Sequence, residues 1–107
     1  MSSVPEISPR ELQARLGAAD PPVVLDVREP WELGIARLAG TLDIPMNEVP
    51  ARLADLPKDR DIVVMCRSGG RSSKVAHDLH RMGYRAANLT GGILAWAREI
   101  DPTLKTY

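Results

Sequence analysis

The 107 residues contain a single cysteine, Cys66. No disulfide can form within the chain, which excludes the disulfide-stapled scaffold of small secreted domains. An excess charge of one sign is also missing: 14 Lys and Arg balance 14 Asp and Glu. No global field therefore draws the chain to nucleic acid or to an acidic membrane surface, and neither is expected as a partner. Any anion binding must come from a local cluster. No apolar run approaches the ~18 residues that a spanning helix needs. The opening Met1-Ser2-Ser3-Val4-Pro5-Glu6 lacks the basic and then apolar run of a signal peptide, so a cytoplasmic protein is expected. There is no internal repeat, low-complexity tract or linker, and residues 1–107 are expected to form one domain. Metal-ligand spacing is absent as well. His77 and His80 lie three apart on a predicted helix with no third ligand nearby, and a solvated pair is expected rather than a metal site.

What is present is globular: 44% hydrophobic and 26% charged residues, in a chain long enough to bury roughly 60–70% of its extended surface. Short apolar runs alternate with helix-period stretches, which predicts an α/β fold with a central, mainly parallel sheet. Strands are expected at Pro5–Ile7, Val23–Val27, Thr41–Ile44, Ile62–Met65 and Ala86–Leu89. Ser8-Pro9-Arg10-Glu11 reads as a capping box with proline at the first helical position, and Leu12 and Leu16 share a face of the helix it opens. A short helix is expected near Pro30, and another over Val49–Leu56 with Pro50 in its first turn. From about Arg71 to Met82, the spacing of Val75, Leu79 and Met82 predicts an amphipathic helix closed by Gly83. Gly91-Gly92 turns into a last helix with Ile93, Ala97 and Ile100 on one face.

Chemistry concentrates after the clearest strand. Open parallel sheets bind ligands beyond the carboxyl ends of their strands. Cys66 stands at such an end, just before a helix N-terminus, where loop N–H groups and the helix dipole favour negative charge. Gly69 and Gly70 let the backbone bend so that its amides turn inward. No acidic residue occurs from Ile62 to His77, whereas Arg67, Arg71 and Lys74 do, which predicts a local positive field. An ordinary thiol is only ~3% ionised at pH 7, and lowering its pKa by about two units would make most of it thiolate. A helix terminus alone supplies less than one unit, so the arginines and loop amides are expected to supply most of the shift. The competing reading of a lone cysteine at a strand end is a small buried hydrophobe. Asp26 and Arg28, at another strand end, read as an ion pair that supports the site, or else Asp26 pairs with the loop, and Trp31 reads as either a cleft rim or a partly buried aromatic. Trp96 reads as core.

Cys66-Arg67-Ser68-Gly69-Gly70-Arg71-Ser72 resembles the active-site loop of rhodanese-like sulfurtransferases, commonly Cys-Arg-Ser-Gly-any-Arg-Ser. Leu25-Asp26-Val27-Arg28 followed by Glu32 is similar to that family's Asp-Val-Arg motif. Asn88-Leu89-Thr90-Gly91-Gly92-Ile93 with Trp96 resembles its C-terminal Leu-any-Gly-Gly segment and tryptophan. The likeness runs from about Ile7 to Trp96. It departs from the pattern where the family commonly has Gly-His-Ile-Pro-Gly-Ala: here Ala36-Arg37-Leu38-Ala39-Gly40-Thr41 keeps only the glycine, and Arg37 is expected to add positive charge there.

The resemblance implies a rhodanese-like fold, a central five-stranded sheet with helices on both faces. It implies a ping-pong reaction in which Cys66 takes the outer sulfur of a donor such as thiosulfate as a persulfide. A thiophilic acceptor (cyanide, a thiol or a protein partner) then removes it. Cys66 would be the nucleophile. Arg67 and Arg71 would bind the small anionic donor, and the backbone of Arg67, Ser68, Gly69, Gly70, Arg71 and Ser72 would cradle the persulfide. No cofactor or metal is implied. Two other functions compete. A rhodanese-like docking module would need no catalysis, but such modules often lack the cysteine. A cysteine phosphatase or arsenate reductase has five residues between cysteine and arginine, whereas Cys66 and Arg71 enclose four.

Overall fold

The computed structural model describes residues 4–107. Ser8 caps the first helix as its sequence requires: its hydroxyl accepts from the Glu11 amide while the Glu11 carboxylate accepts from the Ser8 amide. The chain runs β1 (Glu6–Ile7), α1 (Pro9–Leu16), β2 (Val23–Asp26), α2 (Pro30–Leu33), β3 (Leu42–Asp43), a 3-10 segment (Met46–Asp55), β4 (Asp61–Met65), α3 (Gly70–Arg81), β5 (Arg85–Leu89) and α4 (Gly92–Glu99). The five strands form one sheet in the order β1-β5-β4-β2-β3. Every pairing is parallel, so the mainly parallel sheet expected is wholly parallel.

Alternation along the central strands builds two cores, because successive side chains point to opposite faces. Leu25, Ile62 and Val64 meet Val75 and Leu79 of α3 and Val49 of the 3-10 segment on one face. Val24, Val63, Met65 and Leu89 meet Leu12 of α1 and Ile93 and Trp96 of α4 on the other. Both faces of β4 are fully buried, which is why it is a continuous apolar run. From β2 the chain leaves toward β3, and from β4 it leaves toward β5 on the opposite side. Their carboxyl ends, with Asp26 beside Met65, therefore flank the crevice where connections diverge, the usual place for a site in such a sheet.

Several expectations are corrected here. The helix expected over Val49–Leu56 is instead the 3-10 segment, broken at Arg52 (φ −121°, ψ 25°). Pro50 lies inside it, and proline supplies no N–H and crowds the carbonyl four residues back. Met82 is 41% exposed rather than part of the apolar stripe. The helix stops before it: the amides of Gly83 (φ 91°) and Tyr84 bond back to His80 and Leu79 in a left-handed cap that turns the chain out. Trp31 is exposed, edge-on to Tyr107 with ring centroids 6.0 Å apart. Arg37 is paired with Asp43, so the extra positive charge expected there is offset. His80 is exposed, while His77 places Nδ1 2.8 Å from the Ser73 carbonyl oxygen. Among the described residues no cluster of His, Cys, Asp and Glu could hold a metal ion, and no helix is long and apolar enough to cross a membrane.

Candidate active site

Cys66 ends β4 and is 1% exposed. Behind it the chain turns through Arg67, Ser68 and Gly69 into α3, and the turn needs glycine at one place. Gly69 has φ 109°, a region open to glycine at little cost. Gly70, expected to serve the same end, does not: its φ is ordinary and a Cβ there would meet nothing within 4 Å. The Gly69 amide donates to Cys66 Sγ at 3.1 Å, and the Ser72 hydroxyl lies 3.3 Å from it.

The loop's amides can face the sulfur because its carbonyls are held elsewhere. Ile93 and Leu94, at the start of α4, donate their amides to the carbonyls of Cys66 (2.9 Å) and Arg67 (3.1 Å). The Asn88 side chain donates to the Gly69 carbonyl at 3.3 Å. This needs α4 very close: a Cβ on Gly92 would sit 2.4 Å from the Arg67 carbonyl oxygen and 2.5 Å from that of Cys66. Two helix N-termini thus clamp the loop, one beneath the sulfur and one on its carbonyls.

Burial pushes the Cys66 thiol up. The Ser72 hydroxyl, and then the amides of Ser72, Gly69 and Ser68, outweigh it, so the thiol titrates below its ordinary value. Of the arginines and loop amides expected together to supply most of the shift, the amides lead, joined by the Ser72 hydroxyl, and the arginines contribute less than expected. The physical reason is Glu32. It lies 39 residues from Arg71 in sequence, outside the acid-free stretch, yet both terminal nitrogens of Arg71 donate to its carboxylate, at 2.7 and 2.9 Å. The pair neutralises much of the local field that the loop sequence suggested. Arg71 lowers the Glu32 carboxyl to about 2, against the opposing effect of burial and with help from the Tyr107 hydroxyl and the Glu29 amide. Arg67 is exposed, its guanidinium stacked 5.0 Å from the centre of the Tyr107 ring.

The expected Asp26–Arg28 pair exists, at 2.8 Å with both side chains wholly buried. Every direction of the Arg28 fork is used: Asp26 accepts from Nε and Nη2, the carbonyls of Ala36 and Glu32 accept at 2.8 and 3.4 Å, and the Tyr107 hydroxyl accepts at 3.0 Å. That hydroxyl in turn donates to Glu32 at 2.6 Å. A continuous polar chain therefore joins Asp26, Arg28, Tyr107, Glu32 and Arg71. Sequence reading brought Cys66, the loop and the Asp26–Arg28 pair to one end of the sheet. It noted Glu32 only as part of a motif and missed Tyr107 and the buried side chain of Asn88. The four-residue step from Arg28 to Glu32 was a usable signal for the former, while nothing in the pattern around Tyr107 marks it.

An open parallel α/β sheet with a lone cysteine cupped by amides at a strand end defines a class, that of cysteine-loop proteins. Within it, the chain belongs to the rhodanese-like domain family, whose model matches residues 8–99. It is 42% identical over 97 residues to a sulfurtransferase of Allochromatium vinosum, spanning 90% of this chain and 91% of that protein. It is 33% identical over 99 residues to the putative sulfurtransferase YtwF of Bacillus subtilis, spanning 92% and 96%. The crystal structure of a rhodanese-like domain protein from Staphylococcus aureus superposes with a TM-score of 0.85 at 30% identity, covering 97% of this chain and 99% of that one.

Proposed function

We infer that residues 1–107 form a single-domain sulfurtransferase that carries sulfur on Cys66. The observation that supports this best is the cup itself: a buried sulfur at the head of α3, faced by the Gly69 amide at 3.1 Å and the Ser72 hydroxyl at 3.3 Å. In the first half-reaction the Cys66 thiolate attacks the outer sulfur of a donor such as thiosulfate. A new S–S bond forms, the donor's S–S bond breaks, and its electron pair leaves with sulfite. In the second, cyanide, a thiol or a protein partner attacks the outer sulfur of the persulfide, and the pair returns to Cys66. No electrons enter or leave overall, so the reading calls on no cofactor. Arg67 and the outer edge of Arg71 hold the anionic donor, and the amides from Arg67 to Ser72 cradle the persulfide. Asp26 and Arg28 support the loop through Tyr107 and Glu32. The free thiol suits a reducing compartment, and we place the protein in the cytoplasm.

The test is covalent. Incubation with thiosulfate should make the intact protein heavier by one sulfur atom, a reducing thiol should reverse the gain, and Cys66→Ser should show neither the gain nor turnover with cyanide. Turnover that persists in Cys66→Ser would overturn the assignment. Hydrolysis of an aryl phosphate by the unaltered protein, without sulfur loading, would favour a phosphatase, and loss of both activities a docking module.

A further inference from the structure

The Ser72 hydroxyl lies between two acceptors. Its oxygen is 2.6 Å from Asn88 Oδ1 and 3.3 Å from Cys66 Sγ, and Ser72 and Asn88 are both buried. A hydroxyl carries one proton, and Asn88 decides where it points. The Asn88 amide nitrogen faces three oxygens: both carboxylate oxygens of Glu6 at 3.2 Å and the Gly69 carbonyl at 3.3 Å. Turning the amide over would set its oxygen against those three with no proton between them. The NH2 group therefore faces Glu6 and Gly69, and Oδ1 faces Ser72. At 2.6 Å the two oxygens require the Ser72 proton between them. While the thiol is uncharged the hydroxyl thus donates to Asn88 and offers the Cys66 S–H a lone pair; the donation to sulfur by which Ser72 lowers the thiol comes only when that proton turns on ionisation.

Ionisation upsets this arrangement. When Cys66 gives its proton to water, the thiolate has nothing to donate and needs donors instead. The Ser72 proton can turn to the sulfur only by leaving Asn88 Oδ1 buried without a partner, which costs free energy in its own right. Resting on the reading of Cys66 as the nucleophile, we propose that Asn88 is a positioning residue that competes with the ionised Cys66 sulfur for the one Ser72 proton. It keeps the thiolate less stabilised, and so more nucleophilic, than the same cup with a free hydroxyl would. Loading relieves the conflict: in the persulfide the charge sits on the outer sulfur, Sγ becomes a weak neutral acceptor, and the Ser72 proton returns to Asn88. Of the other charged groups, Arg67 and Arg71 belong to the sulfur's own loop, and Arg71 is coupled to it by charge. Glu32 of α2 and Tyr107 stand behind Arg71, and Glu6 of β1 behind Asn88.

The rate of Cys66 alkylation by iodoacetamide against pH reads ionisation of the sulfur whether or not the protein transfers sulfur. Failure of the sulfurtransferase reading would appear in the loading assay and not in this one. The midpoint is used rather than the absolute rate, because access to a buried sulfur scales the rate at every pH alike. Asn88→Leu should lower the midpoint by about one pH unit, and the shift should vanish when both proteins also carry Ser72→Ala. An unchanged or higher midpoint, or an equal fall in the Ser72→Ala background, overturns the proposal. Asn88→Val, which suits a strand, serves the same comparison if circular dichroism shows the leucine variant unfolded. In the unaltered protein, the Asn88 side-chain nitrogen resonance should titrate with the alkylation midpoint. A resonance that stays fixed while Cys66 ionises overturns the proposal without any substitution.

Discussion

At Arg71 the sequence and the structure give different weights to the same charge. A guanidinium in an acid-free loop reads as the group that ionises the sulfur. Once its fork is closed on Glu32, its remaining edge is suited to gripping a donor rather than to setting the thiol. Arg71→Ala should therefore raise the KM for thiosulfate roughly tenfold to a hundredfold, the scale of a lost charge-assisted hydrogen bond. It should leave the alkylation midpoint of Cys66 within a few tenths of a pH unit, and Lys74→Ala should alter neither. Because the single change strands a buried carboxylate, Arg71→Ala combined with Glu32→Gln is the companion variant. A midpoint that climbs by a unit or more in both would mean that the arginine, not the amides, holds the thiolate. The loop's chemistry was legible because cysteine, glycine and arginine lie adjacent in sequence. Its counter-charge was not, because Glu32 reaches the loop only through the side-by-side packing of β2 and β4.

The clamp between α3 and α4 is the element on which the cup's geometry turns. Gly92→Ala must either push α4 off the loop or force the loop's carbonyls to move, in addition to straining a residue at φ 61°. It should lower stability by about 1–3 kcal/mol. Displacement of the amides by about 1 Å should cut sulfur transfer by roughly a hundredfold. Gly70→Ala is the contrast, since it has both room and a helical backbone, and should keep activity while stabilising the fold slightly. Thermal unfolding and turnover of the two variants, side by side, measure both effects. Both glycine pairs, Gly69-Gly70 and Gly91-Gly92, stood out in the sequence. What each member does was not legible, because Gly92 is constrained by a loop 25 positions earlier as well as by its own left-handed turn. The strands and the first, third and last helices were legible because burial on two faces, a capping box and glycine caps are local signals. The 3-10 segment was not, since Pro50 is compatible with a helix start as well as with a broken one.

For the molecule as a whole, the best-defined electrostatic contribution to stability is the Glu32 carboxylate, 3% exposed and titrating at about 2. A carboxyl whose folded value is depressed stabilises the fold fully above its unfolded value near 4.5, and loses that contribution as pH falls through its folded value. The window is therefore about pH 4.5 down to 2. The contribution is of order 2–3 kcal/mol at most, reduced because the Arg71 side chain is 37% exposed. Urea unfolding should show Glu32→Gln clearly less stable than the parent at pH 7, with the two curves converging as pH falls through that window. A gap that stays constant to pH 2 would contradict the assignment. The pairing of β1 with β5 carries a different kind of consequence. Glu6, which orients Asn88, lies 82 positions away from it, whereas the β4–β5 pairing joins Asp61 to Arg85 across 24. Closing the longer span costs about 1 kcal/mol more in chain entropy. The contact by which Glu6 orients Asn88 is therefore the strand pairing that costs the most chain entropy to close, although Asn88 is held from its other side by Gly69 and Ser72 of the cysteine loop.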